Sequence, residues 1–342
     1  MKKMLNTDEK FELIKRNTQE IIGENELKKL LESKKKLIAY WGTAPTGRPH
    51  IGYFFPALKI ASLLKAGFKV KVLIADLHAS LDNVPWYILE KRYDYYAKII
   101  PLLIQSVGAD TTNLEFVKGS DFQLKPEYMF DVLRMSSFVS AHDATKSASE
   151  VVKMGENPKV SGLIYPLMQA VDEQYLNSDA QLGGTDQRRI MVLARENLPK
   201  IGYKQRIEIM NPMISGLIGK KMSASDEKSK IDLLDDEKTI KRKINDAECV
   251  IGDPNNAIMN FVEYVIMIIK QDTNEKFVVE RDKKYGGDLR YDKYEDIESD
   301  FINKKLHPLD LKNAVAKGII ELLKPIQKKR ADLEKLAKKA YG

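Results

Sequence analysis

An apolar run, Leu37-Ile38-Ala39-Tyr40-Trp41, stops at Gly42 and gives way to a Gly/Pro-rich turn from Thr43 to Pro49. Ile51, Phe54, Phe55, Leu58, Ala61 and Leu64 then recur at helical spacing, Gly67 closes the helix, and a second apolar run follows at Val70–Ala75. A buried strand, a helix and a second buried strand in that order make a βαβ unit. Such a unit commits the chain to a parallel sheet covered by helices on both faces, with ligands at the carboxyl ends of the strands. The fold class is therefore α/β, a Rossmann-like doubly wound sheet.

The rest of the chain extends this reading. Asn6–Ser33 reads as helical and charged, Tyr87–Val107 as helix and Leu114–Val117 as strand. Tyr128–Lys153 reads as polar, alanine-rich helix, Tyr165–Leu176 as helix, and Asp179–Gln187 as a stretch holding a Gly183-Gly184 turn. After Ser229 the alternation with strands stops. Amphipathic helical segments continue at Thr239–Ala247, Ala257–Ile269, Tyr294–Asn303 and Asp310–Leu323. A length of 342 residues suits two domains, and the change of character falls near Glu227–Lys230. The expected division is residues 1–228, doubly wound, and 229–342, all-α. The basic tail at 324–342 fits either an RNA-contacting segment or a solvated helix.

Composition narrows the function classes. The net charge of +7 favours an anionic partner, although a lysine-rich solvated surface would produce it too. Cys249 is the only cysteine, which excludes an intramolecular disulfide and a cysteine-cluster zinc site. His50, His78, His142 and His307 show no metal-binding spacing, so no protein-held metal is expected. No apolar run spans a bilayer, and Met1–Glu20 mixes lysines with acids, unlike a signal or transit peptide. The expectation is a cytoplasmic protein without a membrane partner.

Four constellations carry chemistry. The helix that follows Pro49 offers unpaired N–H groups and positive dipole to a phosphate, with Thr46, Gly47, His50 and Gly52 alongside. Gly219-Lys220-Lys221-Met222-Ser223-Ala224-Ser225 is a small-residue loop able to carry cations to a pyrophosphate. Tyr165, Gln169 and Asp172 share one helix face amid apolar neighbours, a buried polar stripe in need of partners. Gly183-Gly184 permits close approach of a flat ligand such as adenine, with Asp186 placed for ribose hydroxyls and Gln187 for a substrate. Taken singly, each also fits a plain turn, a basic surface loop or an exposed helix face.

Together these motifs make the chain resemble the eukaryotic and archaeal cytosolic type of tyrosyl-tRNA synthetase, a class I family, from about Leu37 to Tyr341. The likeness rests on Ala39–Thr43, Thr46–His50, Ala75–Ala79, Tyr165-Pro166 with Gln169 and Asp172, Gly183-Gly184 with Asp186-Gln187, Lys221–Ser223, and His307-Pro308 with Asp310–Lys312. It implies a catalytic domain with a helical connective insertion at about 128–160, which forms a homodimer interface, followed by an anticodon-binding domain. Tyr40 and Asp172 would hold the substrate phenol, and Tyr165, Gln169 and Gln187 its amino and carboxyl groups. His78, Phe122 and Gln123 would line the same pocket. Thr46, Gly47, His50, Gly52, Gly183, Gly184, Asp186, Lys220, Lys221 and Met222 would bind ATP. Thr46, His50, Lys221 and Ser223 would act in catalysis.

Tyr285, His307 and Asp310 would read an anticodon guanine. The reactants implied are tyrosine, ATP with Mg2+, and tRNA(Tyr). Two positions depart from the family pattern: Tyr53 replaces the last histidine of one motif, and Ala224 replaces a lysine of the other. Lys220 or a bound K+ would then supply the missing charge, which potassium dependence in wild type and in Lys220→Ala would check. The sequence read ends at Gly342, so functions of the domain appended in animal members are not expected. The alternatives are a tryptophanyl-tRNA synthetase, a nucleotidyltransferase and an inactive RNA-binding paralogue. Asp172 with Tyr40 weighs against the first, His307 with Asp310 against the second, and the presence of His50, Asp186 and Lys221 against the third.

Overall fold

The computed structural model describes residues 5–33, 35–152, 154–155, 157–218 and 229–342. Its centre is a six-stranded sheet in the order β1-β6-β5-β2-β3-β4. The strands are β1 (Glu20–Ile22), β2 (Ile38–Thr43), β3 (Lys69–Ile74), β4 (Leu114–Lys118), β5 (Ala180–Gly184) and β6 (Ile207–Asn211). All pair in parallel except the edge strand β1, which runs antiparallel to β6.

Helices α1 (Thr7–Lys15), α2 (Glu24–Glu32), α3 (Phe54–Lys65), α4 (Asp76–Leu81) and α5 (Leu89–Ser106) belong to the first half. The connection from β4 to β5 carries α6 (Ser120–Gln123), α7 (Pro126–Ser136), α8 (Ala141–Ala148) and α9 (Val160–Tyr175), and α10 (Arg188–Asn197) precedes β6. The last third holds α11 (Glu237–Asp246), α12 (Ala257–Phe261) joined through a π turn to α13 (Met267–Thr273), and α14 (Tyr294–Ile302). It ends in α15 (Pro308–Gln327) and α16 (Arg330–Tyr341).

Side-chain alternation divides the sheet into two unlike faces. Ala39, Trp41, Val70, Val72, Ile74, Ala180, Leu182, Ile207 and Ile209 point into one large apolar core shared with α3, α5, α15 and α16. The opposite face carries Lys71, Tyr40, Gln181 and Glu208, which lie in one register row across β3, β2, β5 and β6. Residues in register share a face, so this row is a band of polar groups under α9. The reversal from α3 into β3 needs a left-handed residue, and Gly67 supplies it with φ at 96°.

Several expectations are corrected. Asn6–Ser33 is two helices separated by β1. Tyr128–Lys153 is two helices, because Ser140 caps a new one by accepting from Asp143 N. Gly183 and Gly184 end β5 rather than forming a turn, and β6 was not anticipated. The last third is not all-α. It contains an antiparallel pair, β7 (Phe277–Val279) with β8 (Leu289–Tyr291). The tail is not a free solvated helix either, since α16 buries Leu333, Ala337 and Ala340 and packs on α5. The expected boundary at 228–229 falls where residues 219–228 lie outside those described.

Candidate active site

Strand order reverses at β2. The chain proceeds from β2 to β3 and β4 on one side, then returns to place β5 and β6 on the other. The carboxyl ends of β2 and β5 therefore part to leave a crevice, where open parallel sheets bind ligands. A cleft of about 390 Å³ opens there. Thr43, Thr46, His50, Gly52, Tyr40, His78, Tyr165, Gln169, Asp172, Gly183, Gly184, Asp186 and Gln187 all line it.

On one side of the cleft, the loop after β2 is held by several hydrogen bonds. Arg92 donates to Pro45 O at 3.2 Å and Thr46 O at 2.6 Å, while the phenols of Tyr96 and Tyr341 donate to Gly47 O at 2.6 and 2.9 Å. Gly47 thus sits behind the cleft, outside its lining. His50 caps the turn that leads into α3, its Nδ1 accepting from Gly52 N at 3.2 Å. Burial, with the Lys230 ammonium nearby, lowers the pKa of the imidazole to about 4. The ring is therefore neutral, and with Nδ1 accepting, Nε2 carries the proton and can donate to an anion.

Leu217 N donates to Ser229 O at 3.0 Å, and Ile51 N donates to Ile231 O at 3.0 Å. The flanks of the lysine segment thus meet next to His50. Lys220, Lys221, Met222, Ser223 and Ala224 themselves lie outside the described residues.

On the other side, α9 presents Tyr165, Gln169 and Asp172 at one-turn spacing. Asp172 is only 1% exposed. Its Oδ1 accepts from Gln123 Nε2 and from the Tyr128 phenol, both at 2.8 Å. Burial pushes the carboxyl up to about 7, against the downward pull of these two donors. His78 Nε2 lies 3.8 Å from Asp172 Oδ2. Burial lowers His78 to about 4, so the ring is neutral and the contact is dipolar rather than an ion pair. Among the described residues, His78 Nε2 is buried without a hydrogen-bond partner in the pocket wall. Gln169 Nε2 donates to Gln187 Oε1 at 3.1 Å, tying α9 to the turn after β5.

Gln123 and Phe122 stand behind this wall rather than in it, Phe122 edge-on to Tyr128 at 5.5 Å. Tyr128, Asp82, Asn211 and Met213 were missed. Asp82, Asn211 and Met213 line the cleft, and Tyr128 braces Asp172. Asn211 ends the unanticipated β6 and Met213 follows it, and Tyr128 belongs to no motif, so none of the three had a local signal.

Tyr285, His307 and Asp310 form a separate locality. Arg281 joins its parts, Nε donating to Gly287 O at 2.9 Å and Nη1 to Lys305 O at 3.1 Å. The turn bearing Tyr285, whose ring is 64% exposed, is thereby held against the segment leading to His307. His307 caps α15, its Nδ1 accepting from Leu309 N at 3.2 Å.

Residues 32–324 match the model of the family "tRNA synthetases class I (W and Y)". The chain is 49% identical to the cytoplasmic tyrosine–tRNA ligase of Danio rerio, with 100% of this chain and 64% of that protein covered. It is 48% identical to the cytoplasmic tyrosine–tRNA ligase of Saccharomyces cerevisiae, with 98% and 88% covered. It thus spans less than two thirds of the vertebrate relatives' length. The crystal structure of tyrosyl-tRNA synthetase complexed with L-tyrosine from Archaeoglobus fulgidus superposes with a TM-score of 0.88 at 39% identity, covering 95% of this chain and 100% of that one.

Proposed function

The chain belongs to the class I tRNA synthetases of the W and Y group, and from that membership we propose that it is a cytoplasmic ligase joining L-tyrosine to tRNA(Tyr) with ATP. The observation that carries this reading is the closed end of the cleft. Asp172, braced by Gln123 and Tyr128, shares that end with Tyr40, His78 and Tyr165. A carboxylate there accepts a hydrogen bond from a phenol, and a phenylalanine in its place would leave it unpaired. Tyr165, Gln169 and Gln187 hold the amino and carboxyl groups in this reading.

Two steps follow. An oxygen of the tyrosine carboxylate bonds to the α-phosphorus of ATP, and the bond to pyrophosphate breaks. A ribose hydroxyl at the tRNA 3′ end then attacks the adenylate carbonyl, and AMP leaves. The protein supplies no nucleophile. It aligns the reactants, and His50 Nε2–H and the Thr46 hydroxyl meet the phosphates on the pyrophosphate side. Lys221 and Ser223 act from the segment whose flanks meet beside His50. Magnesium enters with ATP, as part of the substrate. Tyr285, His307 and Asp310 read a base of the anticodon by stacking and edge contacts.

The insertion supports a homodimer. On α7, Phe130 and Leu133 are 62% and 65% exposed, an apolar face without cover. Phe130→Asp with Leu133→Asp should convert a dimer to monomers in sedimentation. A monomeric wild type would refute this part alone.

The first test is exchange of labelled pyrophosphate into ATP without tRNA, across all twenty amino acids. Tyrosine alone should support it. Exchange driven by tryptophan, or by no amino acid, would overturn the reading.

A further inference from the structure

Between α4 and α5 the chain makes one tight turn, Trp86–Ile88, that presents two large aromatic rings to solvent. Trp86 is 65% exposed and Tyr87 83%. The turn itself is anchored. Val84 and Leu89 on either side are buried in the core under α4, α7 and α9. Val84 O accepts from Ser80 Oγ at 2.8 Å, Val84 N donates to Ala79 O at 2.9 Å, and Lys159 Nζ donates to Asn83 Oδ1 at 2.7 Å. The rings are thus held out by a fixed backbone.

Their place in the chain ties them to the cleft. Asp82, four residues before Trp86, lines the cleft. Arg92, five residues after Tyr87, donates to the phosphate-side loop at Thr46 O. The turn that bears the rings therefore lies in the chain between a residue of the cleft wall and one that holds the loop after β2. Neither ring lines the cleft, so tyrosine and ATP leave them unused. The second step, however, must bring an unpaired nucleotide 3′ end to the cleft. Every base has a π face, and aromatic rings held rigidly in solvent are how proteins grip single strands without reading sequence. Lys159 adds a cation beside the turn, suited to a backbone phosphate.

We infer that Trp86 and Tyr87 form a stacking platform for the unpaired 3′ end of the tRNA acceptor, guiding it into the cleft for transfer. This inference rests on the proposed ligase activity, and its test separates the two. Trp86→Ala and Tyr87→Ala should leave tyrosine-dependent pyrophosphate exchange, measured without tRNA, within about twofold of wild type. The same variants should lower kcat/KM for tRNA in aminoacylation by roughly tenfold or more, and Trp86→Phe should restore most of the loss.

A binding measurement adds a direct readout. Besides Trp86, the chain has one tryptophan, Trp41, which is buried. An acceptor minihelix with its unpaired 3′ end should quench wild-type fluorescence, whereas a minihelix trimmed of that end should not, and Trp86→Phe should abolish the difference. Unchanged tRNA kinetics, equal quenching by both minihelices, or a parallel fall of exchange and transfer would each overturn the platform. Absence of tyrosine exchange in wild type would instead defeat the underlying reading.

Discussion

Asp172 and Glu173 are consecutive on α9 and both fully buried, yet, about 100° apart around the helix, they face different surroundings. Asp172 meets two donors, Gln123 and Tyr128, and opens on the cleft. Glu173 turns toward Glu208 on β6, and neither carboxyl has a hydrogen-bond partner for either oxygen among the described residues. Burial first raises both carboxyls above their ordinary range, with Asp172 adding to the rise of Glu173 and Glu173 to that of Glu208, against the pull of Arg206 and Arg195. Tyr40 lies within reach of both localities, its phenol made less acidic by burial first and then by Glu173, Asp172 and Glu208. Burial raises a carboxyl in either setting. What separates a binding group from an internal proton store is directed donors on one side and an opening on the other.

Asp172→Ala should sharpen this contrast most. It removes the acceptor for a phenol and orphans the buried Gln123 amide and Tyr128 hydroxyl, groups that cost free energy when unpaired. Tyrosine kcat/KM in pyrophosphate exchange should fall by about two to three orders of magnitude, with KM for ATP changed less than about threefold. Equal losses for both substrates would erase the distinction between the two sides of α9.

The next effect is a pH dependence. Burial raises Asp172 to about 7, and its ionised form is the stronger, charge-assisted acceptor for a phenol. Tyrosine kcat/KM should therefore hold steady above pH 7 and fall below it, approaching tenfold per unit. The imidazoles of His50 and His78, lowered to about 4 by burial, stay neutral throughout this window and cannot mimic the effect. A flat profile from pH 5.5 to 8 would show that the carboxylate is not the phenol's acceptor.

The contrast also marks what was legible in sequence. Asp172 was readable because Tyr165 and Gln169 repeat at its spacing on an apolar helix, and the βαβ unit because its period changes from strand to helix and back. β6 was hidden by the chemistry discussed here. Ile207-Glu208-Ile209-Met210-Asn211 carries a fully buried glutamate, which in sequence resembles a solvent-facing charge. β1 is three residues inside a charged stretch, and its pairing with β6 is wholly non-local. Tyr128 lies 44 positions from Asp172 and belongs to no recurring pattern, so the fold alone reveals its contact. The pair β7–β8 is short, and its residues blend with the flanking amphipathic segments.

The smallest effect tests the other side of the comparison. A glutamine at 208 keeps the shape and removes one buried acid. In the folded chain the Glu208 carboxyl titrates well above its ordinary 4.5, so the folded state keeps a proton that the unfolded chain has already released. The stability this acid permits is fully present below about pH 4.5 and is lost as pH rises through the raised folded value. Glutamine has no such loss. Glu208→Gln should thus match wild type in urea denaturation near pH 4.5 and exceed it at pH 7 to 8 by on the order of 1–2 kcal/mol. Tyrosine exchange should stay within about twofold. If the variant instead loses tyrosine activation while ATP binding persists, Glu208 helps hold Tyr40 and the two sides of α9 act as one site. If its stability follows wild type at every pH, the carboxyl does not retain its proton.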